Sequence, residues 1–534
     1  MNENFNPKIL SCLKEYNKQK LIKDLTAGLI VAIIALPLSI ALALASGVSP
    51  EQGLYTAIIA GFVIALLGGS KVQISGPTAA FATIVAGIVA TNGMSGLIIA
   101  TLIAGVILII MGICKFGKLI KFVPLTITTG FTTGIAITLI IGQLKDFFGL
   151  TFTHSPIETM EKLSETIKCF GTFNYQALII GMISLAILII WPKIKYINKI
   201  PPSLIAVIVS AVLVAVFNMN VNTIGSLYEI SSALPKITIP QFSFDTVKNV
   251  IPDAFTIAIL AAIESLLSCV VSDSMIKDKH NSNTELIAQG AGNIASALFG
   301  GIPATGAIAR TAANVKNGGQ SPISGIVHAI VLLLVLVFFM PYAALIPMPT
   351  IAAILFVVAY NMSEWREFIH IIKISPKSDV FVLITTCLLT VLFDLVVAIF
   401  VGLILTCVLF MSRMADVSEV KELNKKLKIR KDILVCNITG ALFFGMTDKL
   451  AEIDIDESTE KLVINMSRIS ALDATAIQKI EELVERCKSL SVELYLCHVN
   501  KQPMKALKKA KIYDELGEER FYKNLEIAID VLCK

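Results

Sequence analysis

Two short breaks in otherwise apolar sequence decide the fold: SGPTAAF at residues 75–81 and PATGAI at residues 303–308. Pro77 suits the first turn of a helix, where its missing N–H loses no hydrogen bond, and Thr305 suits a helix N-cap. A helix that begins at such a break leaves its first N–H groups unpaired and carries about half a positive charge at that end. Each break therefore predicts a half-helix whose start can attract an anion.

The sequence around the breaks is that of a membrane protein. Of its 534 residues, 55% are hydrophobic and only 16% are charged, whereas soluble proteins carry about 25% charged residues. Apolar runs that predict spanning helices lie at roughly 25–45, 53–69, 97–113, 125–144, 176–191, 202–217, 254–271, 323–340, 350–360 and 380–412. The last run is too long for one crossing and holds Asp394 midway, so it predicts a helical hairpin in which Asp394 is structural. Shorter apolar pieces after Pro77, from Glu285 to Phe299 and after Gly306 bring the prediction to about 14 helices.

The two breaks lie at matching places in two halves of the chain. Asp24 precedes Gly76 by 52 residues, and Asp253 precedes Gly306 by 53. Seven helices in each half would place the second half upside down relative to the first. We therefore expect a polytopic α-helical membrane domain, a seven-plus-seven inverted repeat over about 23–218 and 250–413, with two half-helices meeting at the midplane. The alternative is that glycine and proline are simply frequent in membrane helices.

If the two half-helices face each other, their starts form one anion site. The candidate substrate contacts are the residues at and just after the breaks: Ser75, Gly76, Thr78, Ala79, Phe81, Thr305, Gly306, Ala307 and Arg310. The alternative is a pair of re-entrant kinks with only a structural role. Unpaired N–H groups inside hydrocarbon cost several kcal/mol each, which favours a ligand that accepts their hydrogen bonds.

Arg310 lies one turn into the second half-helix. A cation inside a membrane domain is expensive and usually faces a cavity or a partner. Arg310 either adds positive potential for the anion, or it snorkels to the membrane surface or pairs with a carboxylate. The sequence leaves both interpretations open.

Glu264 lies twelve residues after Pro252, near the middle of a spanning helix. Keeping a carboxylate charged there costs at least about 2.5–3.5 kcal/mol, which favours a proton, a cation or a hydrogen-bond network beside it. Ser265 is the next residue, and Ser268 falls on the same helix face at i+4. These three residues are candidates for a coupling site that takes up H⁺ or Na⁺, with Na⁺ at Glu264 and Ser268 and no other metal. The alternative is a protonated carboxyl that only holds helices together.

Lysine placement predicts the orientation. Lysines occur in the N-terminal segment 1–22 and in three loops that fall on one side under this helix count: Lys115, Lys118 and Lys121; Lys193, Lys195 and Lys199; Lys277 and Lys279. The positive-inside rule makes that side the cytoplasm. We expect a multi-pass protein of the inner (plasma) membrane, with a transport domain over 23–413 and both termini in the cytoplasm.

The sequence changes character after Met414. Residues 414–432 are charged and helical in pattern, which predicts a linker. Strands and helices are then predicted in alternation: strands at Ile433–Val435, Leu462–Asn465 and Val492–Cys497, helices at Ala476–Cys487 and Pro503–Lys509. This pattern predicts a small α/β domain over 433–534.

The sequence contains no Walker loop, nucleophile motif or metal-ligand cluster, so we expect neither an enzyme nor a cofactor. The net charge of +5 is small for this length, which argues against a nucleic-acid partner. The leading hypothesis is a secondary transporter of a small anion across the lipid bilayer, coupled to H⁺ or Na⁺ by symport or exchange. An anion channel on the same scaffold is the runner-up. A mere membrane anchor for a signalling domain would need no broken helices.

A series of short segments carries a family resemblance. They are Asp24–Leu29, Ala35–Pro37, Gly53–Tyr55, Ser75–Thr78, Asn283–Leu286, Gly290, Gly300–Ala307 and Ala309–Thr311. In their order and spacing they resemble the SulP family, the sulfate-permease-like anion transporters with a C-terminal STAS domain. Asp473–Ala476 in the tail resembles STAS domains.

The resemblance implies a core domain that moves against a gate domain, with substrate bound between the half-helices near Thr78 and Gly306. It implies that Glu264 matches a carboxylate that serves as a Na⁺ or H⁺ site in some members. The implied substrates are bicarbonate, sulfate, chloride or dicarboxylates, and the implied partners are a second copy in a homodimer and a cytoplasmic protein at the STAS domain.

Two positions depart from the family pattern. Leu38 stands where many relatives place Gln or Glu, so we expect no polar substrate contact there. Ala474 replaces the serine that signalling relatives phosphorylate, so we expect no phospho-switch at that position.

Overall fold

The computed structural model describes residues 5–14, 16–118, 123–154, 156–195, 200–238, 240, 243–393, 395–417, 419–423, 430, 432–440, 442–444, 450, 453–456 and 458–533. Lys121, Lys199 and Asp394 fall outside these ranges. The chain divides into two compact units, Met1–Leu403 and Ile404–Lys534, and each is described by itself.

Helices make up nearly all of the first unit. In chain order they are α1 (Lys8–Lys14), α2 (Lys18–Ala45), α3 (Pro50–Leu67), α4 (Ala79–Ile113), α5 (Leu125–Phe148), α6 (Thr159–Lys168), α7 (Tyr175–Ile190), α8 (Pro202–Val216), α9 (Ile224–Leu227), α10 (Phe244–Ile276), α11 (Ser282–Leu298), α12 (Ile308–Lys316), α13 (Ile323–Ala343), α14 (Met348–Met362), α15 (Trp365–Ile374), α16 (Lys377–Leu392) and α17 (Leu395–Val417). Two short strands interrupt the series, β1 (Ser75–Gly76) before α4 and β2 (Thr305–Gly306) before α12.

Local sequence explains where several of these helices begin and end. At the start of α3, the backbone N–H of Ser49 donates to the side chain of Gln52, and Pro50 takes the first helical position. Helix α5 ends at Gly149, whose φ of 63° lies in the left-handed region that glycine adopts most readily. Helix α4 breaks at Gly93, where φ is 66°, and thereby supplies two of the predicted membrane helices.

Eight of the described helices are long and apolar enough to cross a bilayer: α2, α3, α4, α5, α7, α10, α13 and α17. The shorter helices α8, α11, α12, α14 and α16 are added to these eight, and α4 counts as two helices because it breaks at Gly93. This gives seven helices before the segment at 217–243 and seven after it. The predicted helical hairpin over 380–412 is present as α16 and α17. The predicted fold class is thereby confirmed.

The two halves pack as an inverted repeat. Strands β1 and β2 are equivalent segments, and they pair antiparallel with Ser75 opposite Gly306 and Gly76 opposite Thr305. Helix α4 packs on α10 and α11, and in the other half the equivalent helix α13 packs on α2 and α3. This reciprocity is what a pseudo-two-fold axis between inverted halves produces.

The second unit is an α/β domain around one five-stranded sheet. Its strands are β3 (Glu419–Glu422), β4 (Ile433–Thr439), β5 (Lys461–Arg468), β6 (Glu493–Cys497) and β7 (Phe521–Tyr522), and its helices are α18 (Ala474–Ser489), α19 (Lys501–Lys509), α20 (Ile512–Leu516) and α21 (Leu525–Leu532). The strand order is β3-β4-β5-β6-β7, with β3 antiparallel to β4 and the other pairs parallel. Asp473 caps α18 by accepting a hydrogen bond from the N–H of Ala476 at 2.8 Å.

One prediction in this region was wrong. Residues 414–432 have a charged, helix-like pattern, but residues Glu419–Glu422 form the first strand of the sheet. Pairing with β4 overrides the weak helical preference of this charged stretch, because a strand gains ladder hydrogen bonds that an isolated short helix does not. The predicted domain boundaries otherwise stay predictions.

A truncation tests the independence of the first unit. Because each unit has its own buried apolar clusters, removal of residues 418–534 is expected to leave a folded membrane domain that still binds its anion. Size-exclusion chromatography and calorimetric anion titration of the purified truncated protein measure this. Loss of all anion binding in a monodisperse, helical protein would contradict the prediction.

Candidate anion site between two half-helices

The starts of the two half-helices lie side by side because β1 pairs with β2. Beyond the strand pair, the N–H of Ala307 donates to the carbonyl of Ile74 at 2.9 Å, which extends the contact to the first residue before α12. Both strands are buried, and Ser75 is 2% exposed. The β1–β2 pair therefore fixes two helix N-termini at one place inside the membrane domain.

The structure corrects the predicted positions of these helix starts. Thr305 was predicted as an N-cap, but Ala307 is the N-cap of α12, and Thr305 lies in β2 with its hydroxyl donating to the carbonyl of Ala261 at 3.0 Å. Pro77 precedes the N-cap Thr78 instead of entering the first turn of α4. The two predictions were wrong because the break residues pair as strands, which moves the start of each helix about two residues further along the chain.

Neither half-helix has a side chain that caps it. The N-cap residues are Thr78 in α4 and Ala307 in α12, and no side-chain cap hydrogen bond is present at either. Ala307 has no polar side-chain atom, and the Thr78 hydroxyl is engaged elsewhere. The N–H groups of the first two residues of each helix therefore stay available to an acceptor that is not part of the helix, which is what an anion would supply, whereas the N–H of Phe81 donates to the carbonyl of Thr78 at 3.3 Å.

Arg310 is a buried cation at this junction. Its side chain is 2% exposed, and Nη2 donates to the carbonyl of Pro77 on the other half-helix. Among the described residues, Nε and Nη1 have no hydrogen-bond partner and no carboxylate pairs with the guanidinium. The structure therefore supports neither the snorkelling nor the ion-pair interpretation of Arg310. Its positively charged guanidinium keeps three N–H donors, on Nε and Nη1, without an acceptor.

Gly76 lets the Arg310 side chain approach the backbone of β1. A Cβ atom at residue 76 would lie 2.5 Å from Nη1 of Arg310 and 3.4 Å from Cα of Ala57. Any larger residue would therefore push the guanidinium away from the junction. At the equivalent position in β2, a Cβ on Gly306 would collide with the amide group of Gln73.

Glu264 faces the same junction from α10. The hydroxyl of Thr78 donates to Oε2 of Glu264 at 2.9 Å, and the carboxyl is half-buried. One residue, Thr78, therefore belongs both to the start of a half-helix and to the surroundings of the mid-helix carboxyl. The two candidate sites predicted from the sequence, for the anion and for the coupling ion, meet at this side chain.

The two serines predicted beside Glu264 have other partners. The Ser268 hydroxyl donates to Oγ1 of Thr311 at 3.3 Å, and Thr311 in turn accepts from the N–H of Ile74 at 3.0 Å. The Ser265 hydroxyl donates to the carbonyl of Ala262 at 3.2 Å. Ser268 thus ties α10 to α12, and the hydroxyl that reaches Glu264 comes from Thr78 instead.

The other candidate contacts pack around the break. Ala79 is 6% and Phe81 is 0% exposed, so they form the buried first turn of α4. Ser75 accepts a hydrogen bond from Nε2 of Gln289 at 3.2 Å. This places the hydroxyl of Ser75 in a network that sequence reasoning missed.

That network is centred on Glu285, which is 0% exposed. Its carboxylate accepts hydrogen bonds from Gln73 Nε2 at 3.0 Å, from Gln289 Nε2 at 2.9 Å and from the N–H of Gly69 at 2.9 Å. Because the carboxylate is satisfied by three donors, it holds α11 and the β1 segment in place. The sequence did hold a signal for this network: Glu285 stands four residues before Gln289 in an apolar helix.

The sequence matches the profiles of two known families. Residues 21–386 match the sequence profile of the sulfate permease family, and residues 424–528 match that of the STAS domain. YvdB of Bacillus subtilis (strain 168), a provisionally named sulfate transporter, is 41% identical over 95% of this chain and 97% of its own length. The bicarbonate transporter BicA of Picosynechococcus sp. is 32% identical over 95% of this chain and 94% of its own.

Two solved structures are similar in fold. SLC26A9 superposes with a TM-score of 0.87 at 19% identity, covering 98% of this chain and 92% of that one. The transmembrane domain of a cyanobacterial BicA gives a TM-score of 0.65 at 31% identity, covering 72% of this chain and 98% of that one. The family profile and the relatives YvdB and BicA are those of transporters, so the expectation of a transporter rather than an enzyme is confirmed. With the profile spanning most of the membrane domain, the chain belongs to the sulfate permease family of membrane anion transporters and carries a C-terminal STAS domain.

Proposed function

We propose that this protein is a secondary active transporter that moves one small oxyanion per cycle, coupled to H⁺ or Na⁺ at Glu264. The observation that carries the proposal is Arg310: a buried guanidinium with unused N–H groups, held between two uncapped helix starts. Such a cluster of positive charge is costly in a membrane unless an anion binds to it.

The charges at the junction explain why a cation would drive anion binding. Each helix start contributes about half a positive charge, and Arg310 adds one more. An ionised Glu264 would reduce that total from about +2 to about +1, and a bound proton or Na⁺ restores it. Because the cation and the anion then favour each other's binding, their affinities are coupled reciprocally.

The substrate class follows from the donors. Several N–H groups that converge from two helix starts and one guanidinium suit an anion with several acceptor oxygens. Relatives at 41% and 32% identity bear the names of a sulfate and a bicarbonate transporter. We therefore infer that sulfate or bicarbonate binds in preference to chloride, with the half-helix residues Ser75 to Phe81 and Thr305 to Arg310 around it.

A substrate panel tests this proposal. Purified protein in liposomes is given labelled sulfate, bicarbonate, chloride or succinate, with the unlabelled anions as competitors. Saturable uptake of sulfate or bicarbonate that excess chloride competes poorly is the expected result. Saturable uptake of succinate or chloride alone would contradict the oxyanion assignment.

The bond between Thr78 and Glu264 gives a sharper prediction. Thr78→Val keeps the side-chain shape and removes the donor, and the helix start is unaffected because this hydroxyl does not cap α4. A hydrogen bond to a charged group contributes about 1.5–3 kcal/mol and favours the ionised carboxyl, so its loss is expected to change the driving cation's half-saturation concentration by about tenfold or more, lowering it where that cation is H⁺. Anion exchange without a gradient is expected to stay near that of the parent.

The matched control is Thr78→Ser, which keeps the hydroxyl. It is expected to retain most of the parent's dependence on the driving cation, measured as initial uptake rate against H⁺ or Na⁺ concentration. Equal behaviour of the Val and Ser variants would show that the bond to Glu264 plays no part in coupling.

The orientation with both termini in the cytoplasm remains part of this proposal, supported by the lysines in the N-terminal segment and in the loops at 115–118, 193–195 and 277–279. The homodimer and a cytoplasmic protein partner of the STAS domain stay predictions.

A further inference from the structure

His328 on α13 is a fully buried imidazole without a hydrogen-bond partner. Its side chain is 0% exposed, and within the described part of the chain neither Nδ1 nor Nε2 has a partner in reach. The large majority of buried side-chain polar atoms in proteins do have a partner, and an exception calls for an explanation. A ring that exchanges a proton, or contacts a ligand, during the working cycle is one such explanation.

His328 lies beside strand β1. Helix α13 packs on α2 and α3, and α3 has a glycine where the imidazole approaches it. A Cβ atom on Gly61 would lie 3.9 Å from Nδ1 of His328 and 3.2 Å from the carbonyl oxygen of Ser75. The ring therefore lies where α13, α3 and the first residue of β1 meet.

Arg310 lies against the preceding turn of the same face of α3. Ala57 and Gly61 are four residues apart, so they lie on one helix face about 6 Å from each other. A Cβ on Gly76 would lie 3.4 Å from Cα of Ala57 and 2.5 Å from Nη1 of Arg310. The guanidinium and the imidazole thus approach α3 at consecutive turns, next to the two residues of β1.

Arg310 supplies the charge that acts on His328. The titratable groups of the helices packed against α13 lie further away. On α2 they fall in the first two turns, up to Asp24, which hydrogen-bonds the residues just before α13, whereas His328 lies in the second turn of α13. On α3 they are Glu51 and Tyr55, also in the first two turns. Among the described residues, the charged neighbour of the imidazole is therefore a cation and not a carboxylate.

We propose that His328 is a proton site linked to the anion that binds at Arg310, an inference that rests on the proposed anion site and not on Glu264. Without an anion, a proton on the imidazole is opposed by the like charge of Arg310. A bound anion offsets that charge, so the imidazole takes up a proton from solution at its free lone pair. When the anion leaves, the repulsion returns and the proton leaves as well.

The linkage makes the proton a partner of the anion in binding. Because binding free energies couple reciprocally, lower pH strengthens anion binding, and the anion strengthens proton binding by the same factor. Linkage of one proton changes the anion affinity by at most about tenfold for each unit of pH. A proton carried in this way makes H⁺ one of the coupling ions, whether Glu264 takes up H⁺ or Na⁺.

Calorimetric titration of the full-length protein with sulfate counts the protons. Sulfate carries no proton of its own near neutral pH, and two buffers with different ionisation enthalpies convert proton uptake into a difference in heat. The parent is expected to take up about one proton through His328 per sulfate bound, at a pH between about 5 and 8, where histidine changes charge. Its sulfate affinity is expected to fall by up to about tenfold per unit rise in pH. Bicarbonate is titrated in the same way, and its own proton exchange cancels between parent and variant.

His328→Gln keeps a polar side chain and cannot take up the proton. It is expected to take up about one proton fewer than the parent and to lose that share of the pH dependence. His328→Met, which is apolar and similar in volume, is expected to do the same, and it supplies a second folded variant if the buried amide of Gln is poorly tolerated. The matched control is His370→Gln, because His370 is an exposed histidine on α15. Its proton uptake is expected to equal that of the parent.

The Glu264→Gln background separates this site from Glu264. A proton that belongs to His328 is still lost in that background. Glu264→Gln/His328→Gln is therefore expected to take up about one proton fewer than Glu264→Gln, as His328→Gln does relative to the parent.

Three results would overturn the proposal. Equal proton uptake in the parent and in a folded His328 variant would show that the imidazole takes up no linked proton, while the anion site at Arg310 stands. Proton uptake that Glu264→Gln alone abolishes would place the proton on Glu264. Failure of the parent to bind either anion saturably would overturn the proposed function and this inference together.

Discussion

Replacement of Arg310 by Gln is expected to weaken anion binding by about 100-fold, because removal of one member of a buried charge pair costs about 2–5 kcal/mol. Gln is two bonds shorter than Arg and is not expected to keep the hydrogen bond to the carbonyl of Pro77, so the variant is first shown to be folded. The charge and the two unused donor groups are lost. Calorimetric titration of the purified protein with sulfate and with bicarbonate measures the effect.

Lys316→Gln is the matched control, since Lys316 is an exposed cation at the other end of the same helix. Its anion affinity is expected to equal that of the parent. Arg310→Lys, which keeps the charge but not the fork of N–H donors, is expected to fall between the parent and Arg310→Gln. If folded Arg310→Gln binds both anions as tightly as the parent does, the guanidinium serves only to join α12 to Pro77.

The second large effect concerns Glu264→Gln. Gln keeps the shape and can still accept the hydrogen bond from Thr78, but it takes up neither a proton nor a full cation charge. The variant is expected to exchange labelled anion at close to the parent's rate and to lose gradient-driven accumulation altogether. Uptake into liposomes under an imposed H⁺ gradient, and separately under a Na⁺ gradient, gives the measurement.

Asp245→Asn serves as its control, because Asp245 is an exposed carboxylate in the first turn of the same helix. It is expected to accumulate anion as the parent does. If Glu264→Gln accumulates anion as well as the parent under both gradients, Glu264 has a structural role and the coupling ion binds elsewhere or not at all.

The fold could be predicted from the sequence because the two breaks are strong local signals. A Gly-Pro pair and a Pro-Ala-Thr-Gly run inside apolar sequence exclude continuous helices, and their matching distances from Asp24 and Asp253 indicate a repeat. The structure starts the half-helices at Ala79 and Ile308, three and two residues past the strands that the breaks form.

The details of the site could not be predicted, because they depend on contacts between distant segments. Thr305 looks like an N-cap in isolation, and only its pairing with Gly76 reveals it as a strand residue. Helical periodicity placed Ser268 beside Glu264, whereas the hydroxyl that donates to this carboxyl comes from Thr78, 186 residues away in sequence. The buried network of Gln73, Glu285 and Gln289 likewise joins two halves that no local pattern connects.

The most direct test of the account is concentrative uptake by the unmodified protein. Liposomes that contain the purified chain receive labelled sulfate or bicarbonate at equal concentrations inside and outside, and an inward H⁺ or Na⁺ gradient is then imposed. A coupled transporter is expected to raise the internal anion above the external concentration under one of these gradients, and to return it to equality when an ionophore dissipates the gradient. Anion that stays at its electrochemical equilibrium under both gradients, together with unitary currents in planar bilayers, would identify an anion channel and contradict the account.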